Sequence, residues 1–410
     1  MRSPSGARRI GSDQSNESGI AYDAVVDKLG ERVMDDFGEY FEELEDPRAT
    51  AKTYHSLRTV IMIAVLGAIC GAESWVDLAL FAKSKRTFLA TFLDLPERVP
   101  GKDTFRRVFE ALSPFAFRKC FMRWVTALTG SLAGKHLAVD GKTLRAAFAH
   151  RDVLPLHLVH AWVVDSQVLF GQVCGEGKGQ ELASIPPLLG LIDIHGAIVT
   201  LDALGCQRNV AQQIIDQGGD YVLSVKDNQP TLKADVSQHL RDARAAGTTD
   251  TPHAHARTEE RRHGRHEVRE AWIVKDIPAG GRANEWPGAK SLILVERART
   301  RGEETESTVH VYISSVKDLK ADVALQLIRN HWSVENALHW TLDVAFQEDR
   351  SRIHSVNGAQ NFALIRRVAL NALKREKTLK HGIRAKQKVC GWDHAYLLSV
   401  LQLMTPTDGG

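Results

Sequence analysis

KHLAVDG (residues 135–141) is a short apolar run that closes on Asp-Gly, the pattern of a β-strand carrying a carboxylate, Asp140, to its end. Four later runs have the same strand character: HLVHAWVVD (157–165), QVLFGQVCG (167–175), AIVTLDA (197–203) and DYVLSVK (220–226). Asp165-Ser166 makes a tight connection, so the first three strands are expected to form antiparallel hairpin pairs. ELASIPPLLGLI (181–192) reads as a helix with a proline interruption, and QRNVAQQIIDQG (207–218) as a helix closed by Gly218-Gly219. Three strands, a helix, a strand, a helix and a strand predict a mixed α/β sheet covered by helices.

The alternation breaks downstream. A polar helix, PTLKADVSQHLRDARA (230–245), leads into a histidine-containing loop, then strand-like runs at RHEVREAWIVKD (265–276), AKSLILVERART (289–300) and STVHVYISS (307–315). This predicts a β-rich insertion over about residues 230–305. Residues 321–352 then read as mostly helix, and AQNFALIRRVALNALKREK (359–377) as a long helix with a basic face.

Upstream, helices are expected at 24–45, 49–71, 74–83, 85–93, 103–112 and 114–128, with LPERVPGK (95–102) as a breaker and Asp103 as an N-cap. Arg106 and Arg107 on the capped helix suit either a helix-turn-helix reader of DNA or a plain helical bundle. The run VIMIAVLGAICGA (60–72) falls short of the about 20 residues that a bilayer needs, and reads as a buried helix. The expected organisation is a disordered leader (1–19), an all-helical N-terminal domain (20–130), an α/β domain (131–380) and a C-terminal tail (381–410).

Apolar residues make up 43% and charged residues 25%, as in an ordinary soluble protein, and the net charge of +3 says little about partners. Its distribution says more. Residues 23–48 are acid-rich, whereas 366–388 hold nine Lys or Arg against the single acid Glu376. That suits an anionic partner near Arg366, Arg367, Lys374 and Arg375, or else a solvated helix face. The five cysteines, Cys70, Cys120, Cys174, Cys206 and Cys390, form no CxxC, and no signal peptide is visible. Both point to a reducing, cytoplasmic setting. His253, His255, His263 and His266 lack cysteine partners and read as a polar turn rather than a zinc site.

Two strand-borne acids, Asp140 and Asp202, are candidates for one sheet edge, and the helix across that edge offers a third. Trp332, Glu335, His339 and Asp343 are spaced three, four and four residues apart, so an α-helix puts them on one face. Each acid alone reads as readily as a turn residue or a surface charge. Together they pose a problem: two carboxylates about 4 Å apart repel by roughly 4 kcal/mol at an effective dielectric of 20. Converging acids must protonate or bind cations, and oxygen-only donors favour Mg²⁺ or Mn²⁺. Two such ions suit in-line phosphoryl displacement.

DGKTLR around Asp140, TLDALGCQ around Asp202, DYVLSVKDNQPTL, VYISS and RNHWSVENALHWTLDVAFQEDRSR (329–352) resemble the transposases of bacterial insertion sequences, in the H-repeat-associated, ISAs-type branch. DPR (46–48), VLGAICGAESW and DTFRRVFEAL resemble the associated domain of that branch, so the resemblance covers roughly residues 40–375. It implies an RNase H-like sheet, a DDE triad at Asp140, Asp202 and Glu335, two Mg²⁺ or Mn²⁺ ions, double-stranded DNA as partner and a dimer in the synaptic complex. Where related transposases carry Tyr, Arg and Lys around the glutamate, this chain has Ile328, His331 and Leu342. Arg329, His331 and His339 then become candidates for DNA-end contacts, with Asn336 as support and Lys226, Asn228 and Gln229 near phosphates. Asp343, Glu348 and Asp349 are rival third acids. A Mg²⁺ nuclease without strand transfer and a DNA-binding protein that has lost catalysis are the alternative functions.

Overall fold

A computed structural model describes residues 32–33, 35–48, 53–144, 156–176, 181–247, 249, 253–262, 264–275, 277 and 279–406. The expected leader (1–19) lies outside them, as do the start of the helix expected at 24–45 and residues 49–52 of the next.

The five runs read as strands are β1 (His136–Leu144), β2 (Leu156–Val163), β3 (Val168–Glu176), β4 (Ile198–Leu201) and β5 (Asp220–Val225). They lie in the order β3-β2-β1-β4-β5, with β1, β4 and β5 mutually parallel and the first three strands an antiparallel meander. That is the RNase H-like arrangement of a mixed sheet. Between β3 and β5 lie α6 (Glu181–Leu189) and α7 (Arg208–Asp216), and Gly218 follows α7 at φ 73° in the left-handed region that ends helices.

The insertion does not form a separate body. After α8 (Pro230–Ala245), strands β6 (His255–Arg262), β7 (Arg265–Val274), β8 (Ser291–Arg301) and β9 (Glu304–Ser314) extend the same sheet, because β9 pairs antiparallel with β5. Among the described strands, β6 is the one that the sequence reading missed. HARTEERR alternates charges and has almost no apolar face, so its strand state comes from pairing along β7 rather than from burial. Such a charged edge discourages pairing with another chain.

The two sheet faces have different covers. Alternate residues of β5 point to opposite sides: Val222 joins Ile293, Tyr312 and the α9 helix (Ala321–His331), while Tyr221, Leu223 and Val225 join the main core. Helices α1 (Leu57–Ile69), α2 (Trp75–Ser84), α3 (Arg86–Leu89), α4 (Lys102–Ala111) and α5 (Pro114–Thr129) belong to that same main core. Asp103 lies inside the first turn of α4, and Gly101 takes the N-cap place expected for Asp103. The stretch 381–410, expected as a tail, contains two packed helices, α12 (Ile383–Trp392) and α13 (His394–Gln402). The Trp124 indole donates to the Met404 carbonyl at 2.7 Å.

The last long helix, α11 (Val356–Arg375), overturns one expectation. It runs through the middle of the molecule, against α1, α4, α5 and β3, and its basic residues do not form an exposed face. Arg366 and Arg367 are 2% and 0% exposed. Arg367 makes a two-pronged ion pair with buried Glu348 (Nη2–Oε2 2.9 Å), and Arg366 lies 3.8 Å from the same carboxylate. Arg375 donates to the Leu128 carbonyl, and half-buried Lys374 donates to Gln167. The reason is geometric: Phe362, Ile365, Ala369 and Leu373 bury one side of α11, and the helical packing around it leaves the other side no water to face.

Arg367→Met leaves a buried carboxylate without its main partner and is expected to cost about 3–5 kcal/mol in denaturant unfolding. Because the ion pair holds Glu348 below its ordinary value, this contribution is full above about pH 4.3 and is lost as pH falls through the lowered value. A loss under about 1 kcal/mol would show that Arg366 carries the pair instead.

Candidate active site

Asp140 and Asp202 are brought side by side by strand register. β1 and β4 are parallel and in step at Val139↔Leu201, and each acid is the next residue. The parallel pairing stops there, while β1 continues with β2 to Leu144↔Leu156. Asp140 therefore sits within its strand, where one neighbour leaves, and not at the strand terminus that its Asp-Gly suggested. Asp202 closes the turn after β4: its Oδ1 accepts the backbone N–H groups of Leu204 (3.0 Å) and Gly205 (3.4 Å). Asn228 and Gln229 brace that turn by donating to the carbonyls of Ala203 (2.6 Å) and Cys206 (3.2 Å). Their amides hold the loop behind Asp202, which is a different task from the phosphate contact expected of them.

Glu335 comes from an interruption in the helix. The α9 helix ends at His331, Val334–His339 is a π-helical turn, and α10 (Trp340–Ala345) follows. The Trp340 N–H reaches the Glu335 carbonyl, an i→i+5 bond. The extra residue in that turn splits the face expected of a continuous α-helix. Trp332 is 52% exposed beneath the Lys226 ammonium (5.9 Å), His339 is buried, and Asp343 turns to Lys142. The rival acids have other partners: Lys142 Nζ lies 2.6 Å from Asp343 and 3.4 Å from Asp349, and Glu348 is locked to Arg367.

The electrostatics tie these acids together. Burial first, and then the charges of Asp202, Glu181 and Glu335, push the Asp140 carboxyl up to about 7. Among the described residues no Lys or Arg forms an ion pair with any of these four. Glu181 is the acid that sequence reading missed. It opens α6, where a carboxylate is unremarkable beside the helix dipole, so it carried no signal. Its carboxylate lies directly over Gly141, in the space that a Cβ there would occupy. Burial and Asp202 both raise its pKa.

An all-oxygen donor set with no internal counter-charge has the chemistry of a hard divalent cation site. Among the described residues no three His, Cys, Asp or Glu side chains close tightly enough to hold an ion as they stand. Their chemistry therefore fits, and side-chain rotation would have to complete the geometry.

A family model for a transposase DDE domain matches residues 132–372, and one for its associated domain matches 38–125. The chain belongs to the DDE transposase family. Over 370 residues it is 36% identical to the protein YbfL and to the H repeat-associated protein YhhI, both of Escherichia coli strain K12, covering 88% of this chain and 97% of each relative. Among solved structures, a piggyBac transposase synaptic complex with hairpin DNA aligns with a TM-score of 0.42 and 13% identity, covering 90% of this chain and 79% of that one.

Beside the acids of this transposase lies a groove of about 910 Å³ between α9 and the extended sheet, reaching from Lys226 to Glu335 and Asn336. Arg329 lines it and pairs with Glu260. Arg265, Arg269, Arg297 and Arg299 line it too, the last three gathered around Glu267. None of these β-strand arginines stood out in the sequence, because they alternate with glutamates.

Other expected contacts are placed elsewhere. His331 is bonded to Thr200 (2.9 Å), and burial pulls its pKa down to about 4, so it is neutral; His339 is buried. Ile328 and Leu342 are packed in the interior. Arg106 is tied to Glu110 (3.0 Å) and Asp103 on α4, and Arg107 is exposed on the same helix. His266 pairs with Glu259 and His255 stacks on Trp272, while His263 lies outside the described residues. No helix among the described residues is long and apolar enough to cross a membrane.

Gly141→Ala should push the Glu181 carboxylate off Asp140. Since Glu181 raises the Asp140 pKa, that pKa should fall from about 7, as it should in Glu181→Gln. Carboxyl titration by ¹³C NMR on metal-free protein measures this, and an unchanged titration would show that the Glu181 charge does not reach Asp140. The displaced group is the end of a flexible side chain, so the fold should lose less than the about 1–3 kcal/mol typical of overpacking.

Proposed function

We propose that this transposase binds the double-stranded ends of its own insertion sequence, cleaves them and joins them to target DNA, acting as a dimer in the synaptic complex. The observation that supports this best is the crowding of Asp140, Asp202 and Glu335 at the break in the β1–β4 pairing, with no Lys or Arg paired to them among the described residues. In this reading Asp140 and Asp202 hold two Mg²⁺ or Mn²⁺ ions from the sheet, and Glu335 completes the set from the π turn. When bound, the ions supply Lewis-acid stabilisation of the attacking and leaving oxygens.

The remaining steps belong to the chain. Asp202 is kept in place by its turn, and Asn228 and Gln229 stiffen that turn. Lys226, Arg329 and Asn336 carry the DNA backbone along the groove towards Glu335, and exposed Trp332 offers a flat face for a base. Backbone contacts of this kind position the duplex without reading its sequence. Arg106 and Arg107, on α4, are the contacts proposed for sequence reading. Arg366, Arg367, Arg375 and His339 have no part in DNA binding, because they are buried or committed to the interior.

Asp140→Asn, Asp202→Asn and Glu335→Gln should each lower cleavage of labelled element-end DNA by at least about a hundred-fold, given several kcal/mol of charge stabilisation from the ions. End binding in Ca²⁺ should stay within a few-fold of the parent protein. Loss of binding and cleavage together would mean that these acids are structural. Joining of a pre-cut 3′ end to target DNA separates a transposase from a simple nuclease, which would cut and not join.

A further inference from the structure

Behind Asp140 a line of three side chains leads into the core. His160 stands opposite Asp140 on β2, and His339 closes the π turn that begins around Glu335. Arg367 Nη2 lies 3.1 Å from His160 Nε2, His160 Nδ1 lies 3.3 Å from His339 Nε2, and His339 Nδ1 lies 3.7 Å from Asp140 Oδ2. His160 is 0% and His339 8% exposed, so both rings are buried.

The hydrogen-bond roles along this line allow one order. A guanidinium only donates, so His160 Nε2 must accept and present a bare lone pair. A neutral imidazole with a bare Nε2 carries its proton on Nδ1, which therefore donates to His339 Nε2. His339 in turn must carry its proton on Nδ1, the nitrogen that faces Asp140. A ring that presents a bare Nε2 to a donor is neutral, so the geometry itself makes both imidazoles uncharged. The start of the line cannot slip, because the two-pronged pair with Glu348 and a bond to the Ala363 carbonyl (3.0 Å) immobilise Arg367.

We infer that Arg367, through His160 and His339, is a positioning relay that aims one N–H at Asp140 Oδ2 and so sets which way that carboxylate faces its cation. The inference rests on the proposed function in one respect, that Asp140 is a metal ligand. At 3.7 Å the last link is longer than a hydrogen bond, and a small rotation of the carboxylate closes it as the site loads. Since His339 and Glu335 share the π turn, the same relay couples the orientation of Asp140 to the placement of Glu335.

The test has two arms, both on the full chain. In ¹⁵N NMR of histidine-labelled, metal-free protein at neutral pH, with signals assigned from His160→Gln and His339→Asn, both rings should show a protonated Nδ1 and a bare Nε2. A proton on Nε2 of either ring overturns the relay, whether or not the protein cleaves DNA. In Mn²⁺ titration by calorimetry, His339→Phe should bind about 10–100-fold more weakly, and His339→Asn, which returns an N–H near the place of Nδ1, should stay within about threefold of the parent. Equal weakening by both variants overturns the positioning role. A parent protein that binds no Mn²⁺ would refute the metal reading above, and with it the role at Asp140, while the NMR arm still decides the proton order.

Discussion

Crowded carboxylates at one sheet edge are the constraint around which this molecule is organised. Charges of one sign resist being gathered, and here the backbone gathers them. The parallel pairing of β1 with β4 fixes the separation of Asp140 and Asp202, because neither strand can shift its register without turning its apolar residues out of the core. The side chain missing from Gly141 lets Glu181 approach as well. Folding energy from the core is thus stored as an unfavourable electrostatic arrangement, and the divalent ions of the proposed function would relieve it.

A second set of charges, opposite in design, lies behind the first. Lys142 bridges Asp343 and Asp349, and Arg367 pairs with Glu348 with Arg366 close by. These pairs are closed, whereas the acids at the edge are open. The difference separates acids that hold the structure together from acids available to a ligand, and it sorts Glu335 from Asp343, Glu348 and Asp349 a few turns further along the chain. The closed pairs also explain why α11 carries arginines through the interior: they anchor the segment after Glu335 to the helical core and give His160 a fixed donor.

Much of the fold was legible along the chain. Apolar β-branched runs marked all five strands of the mixed sheet, because strands buried on both faces have to be continuously apolar. Glycine and proline marked the breaks. Strand β6 was not legible, since its only reason to be a strand is its neighbour. Nor was the π turn, because Trp332, Glu335, His339 and Asp343 fit α-helical spacing, and only the backbone bond from Trp340 N–H to the Glu335 carbonyl shows that the turn has been widened.

Sequence by itself determined the family and the five strands of the mixed sheet, and it singled out Asp140, Asp202 and Glu335, because these are local patterns of residue type and spacing. Tertiary structure alone decided which charges face water. The arginines of α11 look like a surface stripe until the helices around them are in place, and Glu181 looks like an ordinary helix start until Gly141 lies beneath it. Burial and the partner across the fold assign a charge its task, and neither is written in the residues beside it.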